Sequence, residues 1–192
     1  MKVELVLSSK ATLGEGMNLF PDGRMRWVDL PNGLSYIWDG TSNELWHSQR
    51  EELSKVLPWR DGSILLSQTA IIFLDQANNE VERIDLHNQE SNLRCSDAVV
   101  LPNGEILVGI LDRDLTPNRS RLIQVKLDRS VVEIVSIASI SNGITILADG
   151  KTARNGSVGA WPRVCNDGWY HVQAALYLDV WNAATGQKRK RF

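Results

Sequence analysis

Three side chains could take part in chemistry: the Glu15 carboxylate and the Asn142 amide, each beside a glycine, and the Arg94 guanidinium. Glu15 lies between two glycines, just ahead of an extended segment rich in Met, Trp, Val and Leu. Taken singly, Glu15 would be a solvated turn carboxylate and Asn142 a turn residue with positive φ. Arg94 would pair with Asp97 at the start of a strand. Their role therefore depends on the fold that positions them.

Local signatures of common enzyme classes are missing from the sequence. It contains no H-E-x-x-H motif, G-x-S-x-G elbow, P-loop or dinucleotide fingerprint. The histidines His47, His87 and His171 are scattered, and we expect surface positions for them rather than metal ligation. The two cysteines, Cys95 and Cys165, form no C-x-x-C pair, so we expect free thiols.

Length and charge limit the class of protein further. The 192 residues suit one domain, and the net charge of −2 gives no field strong enough to hold a nucleic-acid backbone. No stretch approaches the roughly 20 apolar residues of a membrane span, and the first apolar run is too short for a signal peptide. The basic residues 188–191 are expected on an exposed outer strand, with nuclear import or nucleic-acid contact as the alternative. We therefore expect a soluble, cytoplasmic protein without nucleic-acid or membrane partners.

Tight-turn signatures recur along the chain at intervals typical of a repeated unit. Spacings of 39, 42 and 46 residues separate four turn residues that each precede a glycine: Asp22, Asp61, Asn103 and Asp149. A repeat of about 40 to 50 residues built from short strands is the signature of β-propeller blades. The sequence therefore predicts an all-β protein, a β-propeller with about four blades, each a four-stranded antiparallel sheet.

Polar and glycine turns divide each of the first three units into four strands. The predicted strands are residues 17–20, 24–30, 34–38 and 44–48, then 54–59, 63–68, 70–75 and 81–86, then 97–101, 105–111, 121–127 and 131–137. A helix over residues 43–57 is the one alternative, since four apolar residues there roughly fit a helical face.

The fourth unit begins like the others and then changes character. Its first strand is predicted at residues 144–147, before a turn at 149–152. Residues 153–174 show no convincing alternation and are predicted to be irregular. A strand signal returns at residues 175–181. We therefore predict a single, incomplete propeller domain over residues 1–192.

The residues around these turns resemble the gluconolactonase, regucalcin and senescence-marker-protein family. Residues 11–16, Ala-Thr-Leu-Gly-Glu-Gly, are similar to the family's opening segment. Residues 94–98, Arg-Cys-Ser-Asp-Ala, are similar to its Arg-x-Asn-Asp-Gly segment, and residues 141–143 to its Ser-Asn-Gly segment. The resemblance covers residues 1–152 and 175–192, and it implies a six-bladed propeller of which this chain supplies about four blades.

The resemblance also implies roles for individual side chains. Glu15 and Asn142 would be ligands of a divalent metal ion (Ca, Zn, Mn or Mg) at the mouth of the propeller. Arg94 and Ser96 would contact the substrate, a sugar lactone. Oxygen donors suit a hard cation, which would polarise the lactone carbonyl and position a water to attack it.

Three departures from the family pattern affect these roles. Ser96 stands where the family has an asparagine and Ala98 where it has a glycine, which alters the grip on the substrate. The fifth and sixth blades are unmatched, and with them the aspartate that completes the metal site and acts as the base. Asp167 is the one late candidate for that base. Residues 153–173 fit no family segment, which suggests a rearranged or frameshifted region or a partly lost fold.

The predicted function is metal-dependent hydrolysis of sugar lactones, with little or no activity expected from so short a chain. The alternative is a catalytically silent propeller fragment that acts as a protein-interaction module. In a closed propeller, a strand at residues 3–7 would join the last blade. Here we expect open blade edges and self-association through them. The expected edge residues are Leu5, Val6, Leu7, Leu176 and Tyr177.

Overall fold

The described strands are short and antiparallel, and they form three four-stranded sheets and one two-stranded sheet. The computed structural model describes residues 5, 7–86, 92–138, 142–146 and 152–153. The first sheet contains β1 (Gly14–Leu19), β2 (Met25–Asp29), β3 (Leu34–Trp38) and β4 (Asn43–Ser48). The second contains β5 (Leu53–Trp59), β6 (Gly62–Ser67), β7 (Ala70–Leu74) and β8 (Glu80–Asp85). The third contains β9 (Leu93–Val100), β10 (Ile106–Asp112), β11 (Ser120–Val125) and β12 (Val131–Ala138). The two-stranded sheet contains β13 (Thr145–Ile146) and β14 (Thr152–Ala153).

The sheets are arranged radially as blades. Each of the first three sheets pairs its strands in chain order, and their first strands lie side by side, β1 beside β5 and β5 beside β9. These first strands are therefore the inner strands, next to the centre, and the last strands lie outside. This is the blade arrangement of a β-propeller, so the predicted all-β propeller fold is confirmed for the first three units.

The predicted strands of these three units agree with the structure, with bounds that differ by a few residues. The largest difference is at β9, which begins at Leu93 rather than residue 97 because its first residues pair with the end of β10, Leu93 opposite Asp112. The helical alternative over residues 43–57 is wrong. Val56 and Leu57 are both buried because the inner strand β5 packs on the first blade with one face and on the third with the other.

Two apolar clusters fill the spaces between the described blades. Between blades one and two lie Phe20, Val28, Leu53, Val56, Leu65, Ala70, Ile72 and Leu74. A larger cluster between blades two and three includes Ile64, Leu66, Phe73, Leu93, Cys95, Ala98, Ile106, Val108, Ile123 and Val125. The hydrophobic burial that holds the fold is thus mainly between blades, which explains why a blade is not an independent unit.

Within the described part of the chain, two bidentate ion pairs also join blades two and three. The Arg129 guanidinium donates to both carboxylate oxygens of Glu82, at 2.8 and 2.7 Å. The Arg113 guanidinium likewise donates to both oxygens of Glu52, at 3.0 and 2.9 Å. Such bidentate pairs fix the relative rotation of neighbouring blades as well as adding stability.

Several predictions concern the ends of the chain. Leu5 and Leu7 lie in no strand, so the strand predicted at residues 3–7 is not formed there, and the other residues of that segment lie outside the described residues. The irregular segment 153–174 and the strand at 175–181 also lie outside them, apart from residue 153, which pairs in β14. Within the described part of the chain, no helix is long and apolar enough to cross a membrane.

Candidate functional site

All three complete inner strands carry an irregularity near their first residues. The pairing of β1 with β2 shifts between Glu15 and Asn18, and that of β5 with β6 shifts at Ser54. The pairing of β9 with β10 shifts at Ser96. Bulges of this kind bend a strand and redirect its side chains. They lie at the end of the inner strands where the predicted site residues stand.

Gly16 lets β1 approach β5 closely at this end. Its φ is +61°, and a Cβ added there would lie 2.6 Å from the Ser54 carbonyl oxygen. The same atom would lie 2.9 Å from the Lys55 Cα. Both the positive φ and the contact distance require glycine at this position.

Glu15 lies at the bulge, on the wall of a groove of about 520 Å³ that also contacts Trp27 and Trp38. Its side chain is partly buried. Among the described residues, its carboxylate has no hydrogen-bond or ion-pair partner, in contrast to most carboxylates in the structure. A carboxylate without a partner in a groove is available to bind a cation.

The loop before Glu15 is fastened by Asp29 at the end of β2. The carboxylate of Asp29 accepts hydrogen bonds from the backbone N–H groups of Thr12 and Leu13, at 3.2 and 3.0 Å, and from the Asn32 amide at 2.8 Å. Burial raises the pKa of Asp29, but the hydrogen bonds from Leu13, Asn32 and Thr12 outweigh it and hold the pKa below its ordinary value. Asp29 therefore stays ionised at neutral pH and anchors the segment that carries Glu15.

Arg94 lies near the start of β9, and its predicted structural alternative, an ion pair with Asp97, is wrong. Its Nη1 instead donates to the Cys95 carbonyl at 3.2 Å and lies 3.5 Å from the Ser54 hydroxyl. The Ser54 hydroxyl itself donates to the Cys95 carbonyl at 2.5 Å. In the described part of the chain, the remaining guanidinium N–H groups of Arg94 have no acceptor, so they can bind an oxygen of a ligand.

Ser96, the bulged residue of β9, is buried. Its hydroxyl donates to the Gly109 carbonyl of β10 at 3.0 Å. This bond holds the hydroxyl against the neighbouring strand of its own blade. Contact between Ser96 and substrate stays a prediction.

Asp97 and Lys55 form an ion pair at the centre that the sequence analysis did not foresee. The Lys55 Nζ lies 2.5 Å from the Asp97 Oδ1, with 16% and 9% of the two side chains exposed. The Asp97 Oδ2 accepts the Ile144 N–H at 2.7 Å. A lone lysine within the apolar inner strand Leu53–Trp59 was the available signal, since a buried ammonium needs a partner.

Asn142 precedes β13 and is exposed. Among the described residues, the one hydrogen bond of its side chain is local, from the Gly143 N–H to its Oδ1 at 3.1 Å. Gly143 has a φ of +69°, so the predicted positive-φ residue of this turn is the glycine and not Asn142. The amide of Asn142 keeps an oxygen lone pair for a ligand.

The two candidate metal ligands, Glu15 and Asn142, suit a hard divalent cation, but two side chains are few for such a site. Carboxylate and amide oxygens are the ligands that Ca²⁺ and Mg²⁺ prefer, and Glu15 and Asn142 supply one of each. No group of three or more His, Cys, Asp or Glu side chains within the described residues could hold a metal ion. Asp97, a further acid in the matched segments, has both oxygens bonded, one to Lys55 and one to the Ile144 N–H. Any further ligands would be backbone carbonyls or water.

The other titratable candidates do not join this site within the described part of the chain. His47 lies on the outer strand β4, where its Nε2 is 3.0 Å from the Gln49 side chain and burial lowers its pKa. Cys95 is a buried free thiol, and burial raises its pKa well above the ordinary value. His87, His171, Cys165 and Asp167 lie outside the described residues.

A profile of the SMP-30/gluconolactonase/LRE-like family matches residues 13–153. The match spans most of the chain and includes Glu15, Arg94, Ser96 and Asn142. The chain belongs to this family, and the resemblance stated from its motifs is confirmed. No curated protein sequence matches it.

Solved structures with a similar fold include a calcium-binding regucalcin from Agrobacterium tumefaciens, with a TM-score of 0.66 at 19% identity over 73% of this chain and 48% of that one. A luciferin-regenerating enzyme gives 0.64 at 18% identity, over 74% and 51% of the two chains. A gluconolactonase from Xanthomonas campestris gives 0.62 at 16% identity, over 78% and 56%. The chain thus spans about half the length of these proteins. At such identities the similarity establishes the fold alone.

Proposed function

We propose that this chain carries part of a metal-dependent lactone-hydrolase site of the gluconolactonase type. The observation that carries the proposal is the Glu15 carboxylate, which has no partner among the described residues, lies at the bulged start of the first inner strand and lines a groove. The family match supports the same assignment, since the SMP-30/gluconolactonase/LRE-like profile matches a segment of the chain that includes Glu15. The substrate class is a sugar lactone.

Glu15 and Asn142 would hold the divalent ion through their oxygen atoms, with water completing its coordination. Such an ion, when bound, polarises a lactone carbonyl and lowers the pKa of a bound water. Ca²⁺ is the first ion to test, because both side chains are hard oxygen donors and Ca²⁺ accepts irregular coordination.

Arg94 would bind the substrate from the third blade. Its free N–H groups are directed by the bond from Nη1 to the Cys95 carbonyl, which holds one side of the guanidinium in place. A fixed guanidinium recognises a lactone or carboxylate oxygen through two parallel hydrogen bonds. Arg94 would thus orient the ring and stabilise the negative charge of the carboxylate that forms when the ring opens.

The site lacks an assigned base. Efficient hydrolysis needs a group within hydrogen-bond reach of the attacking water. Glu15 is assigned to the metal, and Asp97 is held by Lys55 and Ile144. Asp167 remains the candidate. We therefore expect weak metal binding and very low turnover from the 192-residue chain.

A silent propeller fragment that acts through protein contacts is the second candidate. The commitment of Asp97 to Lys55 and Ile144, together with the bond between Ser96 and Gly109, favours it, because two polar groups of the matched substrate segment serve structure instead. This alternative needs no metal and no lactone.

Calorimetry with Ca²⁺, Zn²⁺ and Mn²⁺ tests the site, using Glu15→Gln and the control Glu44→Gln, an exposed acid on the outer strand β4. We expect weak binding by the native chain and by Glu44→Gln, and binding at least tenfold weaker by Glu15→Gln, because the amide removes the site's negative charge. Equal binding by Glu15→Gln and the native chain would end this assignment.

Hydrolysis of simple aldonolactones, followed by acid release, tests the activity. Slow metal-dependent turnover that Arg94→Gln abolishes supports the lactonase. Robust turnover would contradict the expectation that the chain lacks a catalytic base, and Asp167 would be the first residue to test for that role. No metal binding and no turnover by the native chain would favour the silent fragment.

A further inference from the structure

The central ion pair joins two neighbouring inner strands. Lys55 projects from β5 and Asp97 from β9, and their charged atoms are 2.5 Å apart. Both side chains are largely buried, so each charge needs the other to offset the loss of water. The pair therefore fixes the position of the Asp97 carboxylate relative to two blades.

That carboxylate reaches a third unit of the fold. Its Oδ1 also accepts the N–H of Ala98 at 2.8 Å, and its Oδ2 accepts the N–H of Ile144 at 2.7 Å. Ile144 directly precedes β13, the first strand of the fourth unit. One carboxylate thus joins the inner strands β5 and β9 to the residue that precedes β13.

Asn142 lies two residues before this tie. It is exposed, and the hydrogen bond that its side chain makes within the described residues is to the adjacent Gly143. Ile144, two residues later, is 7% exposed and packs on Leu107 and Leu122 of the third blade. Those apolar contacts are non-directional, whereas the bond from the Ile144 N–H to Asp97 sets the direction of the backbone.

We propose that Asp97, held by Lys55, is a positioning residue that directs Asn142 toward the centre of the propeller. Its partner Lys55 acts by fixing the carboxylate and touches neither metal nor substrate. The proposal rests on the metal-binding role of Asn142 given above, but the anchoring of residues 142–144 can be measured without metal.

The test compares Asp97→Ala with Glu82→Ala. Both substitutions break an ion pair between blades two and three, but the Glu82–Arg129 pair lies away from the inner strands. In the metal-free chain, we expect amide hydrogen exchange at Ile144 to be about tenfold faster in Asp97→Ala and unchanged in Glu82→Ala. Equal protection of Ile144 in all three proteins would overturn the proposal.

Calcium titration of the same proteins gives the second readout. Loss of a group that orients a metal ligand typically weakens affinity 10- to 100-fold, and we expect this for Asp97→Ala but not for Glu82→Ala. Asp97→Asn, which keeps one acceptor for the Ile144 N–H, should recover part of both losses. Native-like calcium affinity in Asp97→Ala would contradict the positioning role.

Lys55→Met covers the case in which Asp97→Ala does not fold, since it keeps the carboxylate and removes its partner. We expect it to speed exchange at Ile144 and weaken calcium binding in the same direction, with Lys55→Arg close to the native chain. No change in either quantity would overturn the proposal. If the native chain binds no calcium, the proposed function fails. Hydrogen exchange at Ile144 still shows whether Asp97 anchors residues 142–144.

Discussion

Gly16 and Ser54 belong to different blades, yet a Cβ on Gly16 would lie 2.6 Å from the Ser54 carbonyl oxygen. The first two inner strands therefore approach one another so closely that no side chain fits between them. Because Glu15 precedes Gly16, this approach also fixes how near the Glu15 carboxylate lies to the second blade.

Gly16→Ala should destabilise the fold more than an ordinary glycine substitution at positive φ. Gly23 is the matched control, since its φ is +78° and no atom lies within 4 Å of an added Cβ. We expect a loss of about 1 to 2 kcal/mol for Gly23→Ala from backbone strain alone, and about 3 kcal/mol or more for Gly16→Ala, because strand separation adds to the strain. Urea unfolding measures both, and equal losses would contradict the close contact.

The repeated turn residues made the blades predictable. Asp22-Gly23 and Asn103-Gly104 form the turns expected of them, with the Gly23 N–H bonded to the Phe20 carbonyl and the Gly104 N–H to that of Leu101. Glycine and aspartate favour a turn through the backbone of the residues next to them, so the turn can be predicted from a few consecutive residues. The strands could then be predicted as the segments between these turns.

The centre was less predictable because it depends on register. The bulges at Ser54 and Ser96 arise from pairing with another strand, which no local pattern encodes. Lys55 and Asp97 are far apart in the sequence, and their contact requires both inner strands to be placed first. Sequence similarity pointed to Glu15, Arg94 and Asn142, but it gave no partner for any of them.

Asp29 should make stability depend on pH in the acid range. Its pKa is lower in the folded chain than in the unfolded chain, so its contribution is present above the unfolded value of about 3.9 and is lost as pH falls through the folded pKa. Asp29→Asn should therefore lose less stability than the native chain between about pH 5 and pH 3. Urea unfolding across this range measures the difference.

At neutral pH the same residue should stabilise the loop before Glu15. Asp29→Ala removes the acceptor for three hydrogen bonds, and we expect a loss of about 3 kcal/mol. Identical pH profiles for Asp29→Asn and the native chain would show that these bonds are absent in solution.

Cys95 should be unreactive while the chain is folded. Burial raises the pKa of its thiol, so almost no thiolate is present at neutral pH, and the thiol lies between blades two and three. In a Cys165→Ser background, a disulfide reagent should label Cys95 only after urea unfolding. Rapid labelling without urea would mean that these two blades separate readily.

Self-association should involve the face of the first blade that is turned away from the second blade. Met17 and Leu19 are 63% and 64% exposed, beside the groove that Glu15 lines. Exposed apolar residues next to a strand edge favour association with another chain. Light scattering after size-exclusion chromatography should show a mass that rises with concentration.

Leu19→Lys should weaken this association about tenfold or more, since it removes a large apolar side chain from the contact. Val81→Lys, at an exposed valine on the outer strand of the second blade, is the control and should leave the mass unchanged. A native chain that stays monomeric at all concentrations would rule out association through this face.

The bulges in β5 and β9 also change the face of the strand on which the following side chains lie. Leu53 and Val56, three residues apart, pack in one cluster, and so do Cys95 and Ala98, although a regular strand would send such residues to opposite faces. The extra residue therefore separates each strand into two independently placed halves. Side chains at the mouth of the propeller can change through insertion or deletion at the bulge while the halves buried between blades keep their register.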